Sequence, residues 1–168
     1  MYARRPVSAA APTAGLHLTH EVLERCRNRG IEIATVELAI GLDTFRPVTE
    51  AKVEDHVIHS EAYDVPAATL QAIERAGRVV AVGTTVVRAL ESVAATGEGC
   101  GRTQLFIRPG FEFRTVDVLL TNFHLPRTTL LAMIEAFVGP RWRELYELAL
   151  REQYRFLSFG DAMLVERA

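Results

Sequence analysis

Apolar residues open and close the segment 57–65, which is predicted to form a β-strand whose side chains point to its two faces in turn. The alternation puts His59, Glu61 and Tyr63 on one face. β-Branched residues are abundant from 31 to 40 and predict a second strand there. Shorter apolar runs predict further strands at 78–82, 104–107, 111–120 and 162–165.

Apolar residues at helical spacing separate these strands. Thr19 is placed to cap a helix that runs to about Arg29 and ends at Gly30. Further helices are predicted at 66–77, 84–93, 129–138 and 140–154. Strands and helices that alternate in this way predict an α/β domain with a mixed sheet flanked by helices. Residues 1–15 show no hydrophobic period and are expected to form an extended lead-in, and residues 97–101 a flexible loop.

Composition places the chain among ordinary globular proteins. Its 168 residues are 49% apolar and 24% charged, which predicts one α/β domain over residues 1–168. The apolar runs are too short to cross a bilayer, so a cytosolic location is expected. The net charge of -2 gives no global attraction to nucleic acid, and the local arginine clusters fit solvated helix faces as well as RNA contacts. Two cysteines in unrelated segments favour neither a disulfide scaffold nor a zinc module.

Two loops carry polar residues where α/β folds commonly bind ligands. Gly83-Thr84-Thr85 connects a predicted strand to a helix, and free backbone N–H groups at such a junction suit an anion. The same sequence also fits an ordinary helix cap. Asn122 and His124 follow an apolar strand and are candidate site residues, although a loop histidine is often simply solvated.

The histidines at 56 and 59 are close in sequence to Glu61, but they do not predict a metal site. On a strand His56 points away from His59 and Glu61, so the three side chains do not converge. His59 and Glu61 share a face and could act as an acid and a base, or form an ordinary surface pair. Asp161 lies in a turn and could contact substrate or cap the turn.

Several segments, taken together, resemble the C-terminal motifs of the queuosine ribosyltransferase-isomerase family. They occur in the family's order over essentially the whole chain and comprise residues 10–17, Gly41 with 44–48, 59–61, 82–88, 119–126, 154–156 and 158–164. Two features depart from the family pattern. Leu42 and Asp43 stand where the family usually has a second glycine and small residues, and the family's N-terminal half is absent from the chain.

The resemblance implies an enzyme that transfers and isomerises the ribosyl part of S-adenosylmethionine onto 7-aminomethyl-7-deazaguanine (preQ1) at the tRNA wobble position. The products are epoxyqueuosine tRNA, adenine and methionine. S-adenosylmethionine is then a ribosyl-donating co-substrate, the tRNA is the partner, and no metal is expected. The resemblance also implies a larger, discontinuous α/β domain interrupted by a β-barrel, with this chain as the portion that follows the barrel.

The implied chemistry requires a base to open the ribose and is helped by an acid that protonates the departing adenine. The candidate catalytic residues are His17, His59, Glu61, His124 and Asp161. The candidate residues for binding S-adenosylmethionine are Thr13, Gly15, Gly41, Thr44, Gly83, Thr84, Thr85, Arg88 and Asn122. The role of each individual residue is left open.

Two alternatives to an active ribosyltransferase-isomerase stay open. The first is a truncated, non-catalytic fragment of that enzyme, which would be marginally stable and self-associate, whereas a full-length member is expected to be monomeric. The second is an S-adenosylmethionine-dependent RNA methyltransferase. That class needs a glycine-rich loop directly after a first strand, which this sequence does not show.

Overall fold

The structure is a computed structural model that describes residues 11–39, 58 and 60–168. The strands described are β1 (Glu37–Ala39), β2 (Glu61–Asp64), β3 (Val80–Val82), β4 (Cys100–Thr103), β5 (Val118–Asn122) and β6 (Ala162–Glu166). The helices are α1 (His20–Arg27), α2 (Ala67–Arg75), α3 (Thr84–Thr96), α4 (Thr129–Val138) and α5 (Trp142–Arg151). Two short 3-10 helices, Thr13–His17 and Gly139–Arg141, complete the elements.

The strands form two three-stranded sheets. The first has the order β1-β2-β4 and is antiparallel. The second has the order β3-β5-β6, in which β3 is parallel and β6 antiparallel to β5. The predicted mixed α/β class is therefore confirmed, and the difference is that the strands divide between two sheets. Helix α3 contacts strands of both sheets and makes the crossover that a parallel β3-β5 pair requires.

The core lies where α3 and α4 pack on the β3-β5-β6 sheet. Val87 of α3, Leu119 of β5 and the α4 residues Ile134 and Phe137 are completely buried. Phe137 meets Phe113 edge to face, with ring centroids 4.8 Å apart. Burial of each such side chain stabilises the fold by about 1.5–3 kcal/mol. This core holds β5, and the residues that follow it, in place.

The predicted helices are confirmed, and two of them carry threonine caps, of which the cap at Thr19 was predicted from the sequence. Thr19 Oγ1 accepts the backbone N–H of Val22 at 3.2 Å at the start of α1, and Gly30 beyond its end has φ of +77°. Thr128 Oγ1 accepts the N–H of Leu131 at 3.2 Å at the start of α4. These local bonds satisfy N–H groups that a first helical turn leaves free. None of the described helices is both long and apolar enough to cross a membrane.

Several strand predictions were too long. Within the predicted strand 31–40, residues 31–36 are irregular, and in its described part the strand covers only Glu37–Ala39. β-Propensity reflects fit to a pleated, half-buried surface, and Ile31 is instead 52% exposed. The predicted strand 104–107 is also irregular, and the predicted strand 111–120 begins only at Val118.

The carboxylate of Glu91 explains why β5 starts late. It accepts the backbone N–H groups of Arg114, Thr115 and Val116 at 2.9 to 3.0 Å, so these groups bond to a helix side chain and not to a strand. Two loop predictions also need correction. Residues 13–15 of the predicted extended lead-in belong to the first 3-10 helix, and the loop predicted at 97–101 gives way to β4 at Cys100.

Candidate functional site

The polar residues of the candidate site lie at one edge of the β3-β5-β6 sheet. β3 and β5 run parallel, with Val82 opposite Leu120, so their carboxyl ends meet at this edge. β6 begins there and pairs with β5 through Ala162 opposite Asn122. The crevice beyond the carboxyl ends of parallel strands is where open α/β sheets commonly bind ligands. The turn after β3, the end of β5 and the residue before β6 are thus brought to one place.

The side chain of Asn122 is the centre of a polar cluster, which we define as Thr13, His17, Asn122 and Asp161 and call the Asn122 cluster. Asn122 is 4% exposed. Thr13 Oγ1 donates to Asn122 Oδ1 at 3.3 Å, and Asn122 Nδ2 lies 3.2 Å from His17 Nε2. Asn122 Nδ2 also donates to the backbone oxygen of Asp161 at 3.4 Å. One amide therefore joins the first 3-10 helix, the end of β5 and the residue before β6.

The first 3-10 helix brings Thr13 and His17 to the cluster because it packs closely on the sheet edge. Ala14 and Gly15 are buried, whereas His17 is exposed. A Cβ atom added to Gly83 would lie 3.9 Å from Cβ of Ala14, so the helix contacts the turn after β3. His17 therefore presents an accessible imidazole beside a buried amide.

A closed loop before β6 fixes Asp161. Its carboxylate Oδ2 accepts the backbone N–H of Arg155 at 2.7 Å, and its own N–H donates to the oxygen of Arg155 at 2.7 Å. The bond from the Arg155 N–H lowers the pKa of Asp161 most, and the Arg155 guanidinium lowers it further by hydrogen bonding and charge. A Cβ atom on Gly160 would lie 2.2 Å from the Arg155 oxygen, so only glycine fits there. Asp161 is thus held as a carboxylate by Arg155, and its backbone oxygen joins the Asn122 cluster.

His124, two residues after Asn122, lies in a less polar setting. Thr121 Oγ1 is 3.1 Å from its Nε2, and its backbone N–H donates to the Tyr146 hydroxyl at 3.0 Å. Burial lowers the pKa of His124 to about 4 and raises that of Tyr146 to about 12. The imidazole is therefore neutral at pH 7 and does not carry an acidic proton there.

The turn after β3 offers fewer N–H groups than its sequence suggests. Gly83 has φ of +96°, a conformation that favours glycine, and it precedes the first turn of α3. Its own N–H donates to the Leu120 oxygen at 2.8 Å and is not available to a ligand. The backbone N–H groups and hydroxyls of Thr84 and Thr85 are what this turn can offer an anion.

Glu61 and Arg88 pair with each other inside the protein. Arg88 Nη1 donates to Glu61 Oε2 at 2.5 Å, and Arg88 Nη2 donates to the Thr103 oxygen at 3.3 Å. Glu61 is 3% and Arg88 5% exposed. Burial lowers the pKa of Arg88, and the charge of Glu61 opposes that shift. The pair joins β2 of the first sheet to α3, and removing one partner would leave a buried charge uncompensated.

A cavity of about 900 Å³ opens beside the Gly83 turn, as bounded by the described residues. The first 3-10 helix, α2, β3 and the start of α3 form its walls together with residues 30–38. Gly15 and Thr85 both line it, so it reaches the candidate site. Its size is at the upper end of the usual range for small-molecule sites, roughly 300–1,000 Å³.

Comparison with known proteins decides the family. The sequence model described as "Queuosine biosynthesis protein" matches residues 1–165. The chain belongs to the queuosine biosynthesis protein family. It is 58% identical to the S-adenosylmethionine:tRNA ribosyltransferase-isomerase of Rubrobacter xylanophilus, over 98% of this chain and 50% of that protein. It is 54% identical to the protein of the same name from Thermus thermophilus, with the same two shares.

A solved structure supports the same assignment to the queuosine biosynthesis family. The crystal structure of S-adenosylmethionine tRNA ribosyltransferase from Thermotoga maritima matches with a TM-score of 0.75 and 44% identity. The match covers 90% of this chain and 50% of that chain. The chain therefore spans about half the length of the curated relatives it matches. The family resemblance and the partial α/β domain expected from the sequence are both confirmed.

In this member of the queuosine family, the structure brings some of the sequence-predicted residues together and separates others. Thr13, His17, Asn122 and Asp161 form one hydrogen-bonded group, and Gly15 and the turn of Gly83, Thr84 and Thr85 lie beside it. Glu61 and Arg88 form a separate buried pair, and His124 is engaged by Thr121 and Tyr146. Gly41, Thr44, His56 and His59 lie outside the described residues. Among the residues that are described, no group of three or more His, Cys, Asp or Glu side chains could hold a metal ion.

Sequence reasoning missed three residues of the site. Arg155 closes the loop by a bond from its backbone N–H to the Asp161 carboxylate. Gly160 is required because a side chain there would overlap the Arg155 oxygen. The Tyr146 hydroxyl accepts the backbone N–H of His124 from another helix. The first two lie in the segments 154–156 and 158–164, which both resemble the family, and the glycine and acidic residue there were the available signal for a closed turn. Tyr146 gave no signal, because its contact with His124 joins residues 22 positions apart.

Proposed function

We propose that this chain forms part of an enzyme that transfers and isomerises the ribosyl moiety of S-adenosylmethionine onto 7-aminomethyl-7-deazaguanine at the tRNA wobble position. Epoxyqueuosine tRNA, adenine and methionine are the products. The observation that carries the proposal is the Asn122 cluster, which occurs in a member of the queuosine family at the sheet edge where α/β folds bind ligands. The relatives named for this activity are about twice as long, so the complete reaction requires the part of the protein they add.

The site offers a group for each charged part of the co-substrate. The Thr84 and Thr85 hydroxyls and N–H groups at the start of α3 suit the methionine carboxylate. Asp161, held as a carboxylate, suits the sulfonium cation. The neighbouring cavity gives the nucleoside room to bind. His17 is the accessible imidazole of the cluster and is placed to contact the reacting part of the substrate.

The remaining predicted residues are assigned indirect roles. His124, neutral at pH 7, orients the loop after β5 through Thr121 and does not protonate adenine. Glu61 and Arg88 hold α3, and with it the Gly83 turn, against the first sheet. His59, Gly41 and Thr44 keep their proposed roles from the family resemblance. We also infer a cytoplasmic location, a monomeric full-length form and no metal requirement.

The test is an assay of this chain together with the half that its relatives have in addition. S-adenosylmethionine and tRNA carrying the preQ1 base are the substrates, and released adenine and digested nucleosides are measured by mass spectrometry. Epoxyqueuosine with stoichiometric adenine supports the proposal. A methylated base would contradict it and favour the RNA methyltransferase. Activity that is lost with a chelator and restored by zinc would contradict the metal-free mechanism.

The fragment alternative is separated by assaying residues 1–168 alone. We expect this chain to be inactive by itself, because it spans half the length of its relatives and tRNA and co-substrate must be held together. We also expect it to self-associate. A compact monomer with turnover comparable to a full-length relative would contradict both expectations.

A further inference from the structure

The hydrogen bonds of the Asn122 cluster determine which end of the Asn122 amide faces which partner. The backbone oxygen of Asp161 can only accept, so the atom 3.4 Å from it must be the amide nitrogen. The other end, Oδ1, then accepts the hydroxyl hydrogen of Thr13. A flipped amide would place two acceptors against each other at Asp161. The Asp161 oxygen therefore fixes the orientation, and the Thr13 hydroxyl, which can donate or accept, is compatible with it.

This orientation constrains the imidazole of His17. The amide nitrogen carries two hydrogens and accepts none; one hydrogen goes to the Asp161 oxygen, and the other points at His17 Nε2, 3.2 Å away. Nε2 must then be the acceptor, so it carries no hydrogen. In a neutral imidazole the hydrogen is consequently on Nδ1.

We propose that Asn122 is a positioning residue that holds neutral His17 in the Nδ1–H tautomer, so that His17 presents a hydrogen-bond donor to an acceptor atom of S-adenosylmethionine. The proposal rests on the proposed function and makes it more specific. With Nε2 bonded to Asn122 and a hydrogen already on Nδ1, the ring has no nitrogen available to act as a base while this arrangement holds. Base chemistry then falls to another residue.

The surroundings of His17 fit a donor. The ring is exposed, so Nδ1 is accessible to a ligand. The Asp161 carboxylate belongs to a loop closed by the Arg155 N–H, and the Arg155 guanidinium lies 3.5 Å from that carboxylate. The fixed amide on one side and the ordered loop on the other preorganise the ring, which is how a hydrogen-bond donor contributes most to catalysis.

Nitrogen NMR of the histidine-labelled protein tests the tautomer directly and without substrate. The resonances of His17 are assigned by their loss in His17→Gln, and the spectrum is recorded at a pH where the ring is neutral. We expect Nδ1 to give the resonance of a hydrogen-bearing nitrogen and Nε2 that of a bare one. The reverse assignment, or equal populations of both tautomers, would overturn the proposal.

Asn122→Asp provides the decisive variant. A carboxylate only accepts, so it should draw the hydrogen to Nε2 and reverse the two resonances. Asn28→Asp, at the exposed end of α1, makes the same substitution in the sequence's other asparagine and should leave His17 unchanged. Retention of the Nδ1–H tautomer in Asn122→Asp would contradict the proposed role of Asn122. The wild-type spectrum remains decisive if this buried variant does not fold.

Activity is measured separately in the complete protein. Asn122→Asp should lower kcat by about 10²–10³-fold, the usual effect of losing one preorganised donor, with a much smaller change in KM for S-adenosylmethionine. The two tests fail independently. A confirmed tautomer with a methylated tRNA product would refute the proposed function and leave the role of Asn122 intact. An epoxyqueuosine product with the opposite tautomer would support the proposed function and refute the role of Asn122.

Discussion

The half-buried imidazole of His124 should make the protein sensitive to acid. Its pKa is about 4 in the folded state against an ordinary value of 6.5, which applies to the unfolded chain. As the pH falls below 6.5 the unfolded chain binds the proton first, so the free energy of unfolding decreases until the pH reaches the folded-state pKa. Relative to pH 7, linkage gives a loss of about 2 kcal/mol at pH 5 and about 3 kcal/mol at pH 4 from this one residue.

The perturbation that isolates this effect is His124→Gln, whose amide can still bond to the Thr121 hydroxyl but does not titrate. Urea denaturation followed by circular dichroism at pH 7, 6, 5 and 4 gives the free energy of unfolding of both proteins. Other acid-sensitive groups, such as Asp161, cancel in the difference. We expect wild type to lose about 3 kcal/mol relative to the variant between pH 7 and pH 4.

His20→Gln, on the exposed first turn of α1, is the matched control for loss of an imidazole that is not buried. If the difference in free energy of unfolding between wild type and His124→Gln stays constant from pH 7 to pH 4, the imidazole is not held neutral by burial. The assignment of His124 as a non-acidic, orienting residue would then be wrong.

Three further substitutions test the packing around the site, each by urea denaturation. Gly160→Ala should lower the free energy of unfolding by roughly 1–3 kcal/mol, because its Cβ would overlap the Arg155 oxygen. Gly77→Ala is the control, since a Cβ there has no atom within 4 Å. Equal stability of the two variants would contradict the steric argument. Glu91→Gln should cost about 1–3 kcal/mol, since a neutral amide cannot accept three N–H groups as a carboxylate does; an unchanged midpoint would refute this. Phe137→Ala should cost about 3–5 kcal/mol, and Phe159→Ala, at an 86% exposed ring, less than about 0.5 kcal/mol.

The helices were predictable from sequence because their signals are local. Thr19 and Thr128 accept N–H groups three residues ahead, and the apolar positions of α3 and α4 repeat within a few residues. Strand lengths depended on partners distant in sequence, so propensity alone extended them too far. Residues 31–36 have the composition of a strand but are irregular, and β5 was predicted seven residues too early, at 111 instead of Val118.

The site was predictable as a set of residues and not as a geometry. The motif resemblance named His17, Asn122 and Asp161. However, His17 and Asn122 are 105 positions apart in sequence, and Asn122 and Asp161 are 39 apart. Only the fold brings the amide of Asn122 to the imidazole of His17. The same limit applies to Glu61 and Arg88, which the resemblance placed among site residues and which the structure pairs with each other in the interior.

The Glu91 carboxylate fixes the alignment of strand β5. Four of the five residues of β5 are buried. Leu119 and Thr121 lie on one face of the strand and Asn122 on the other, so both faces are buried. Burial alone therefore distinguishes poorly between neighbouring strand registers. Glu91 distinguishes between these registers, because its carboxylate accepts three consecutive backbone N–H groups just before the strand and fixes where the strand can begin. A shift by one residue would turn the Asn122 amide to the opposite face of the sheet. The alignment of the cluster is thus set by a charged group that belongs to helix α3 and lies beyond the opposite end of the strand.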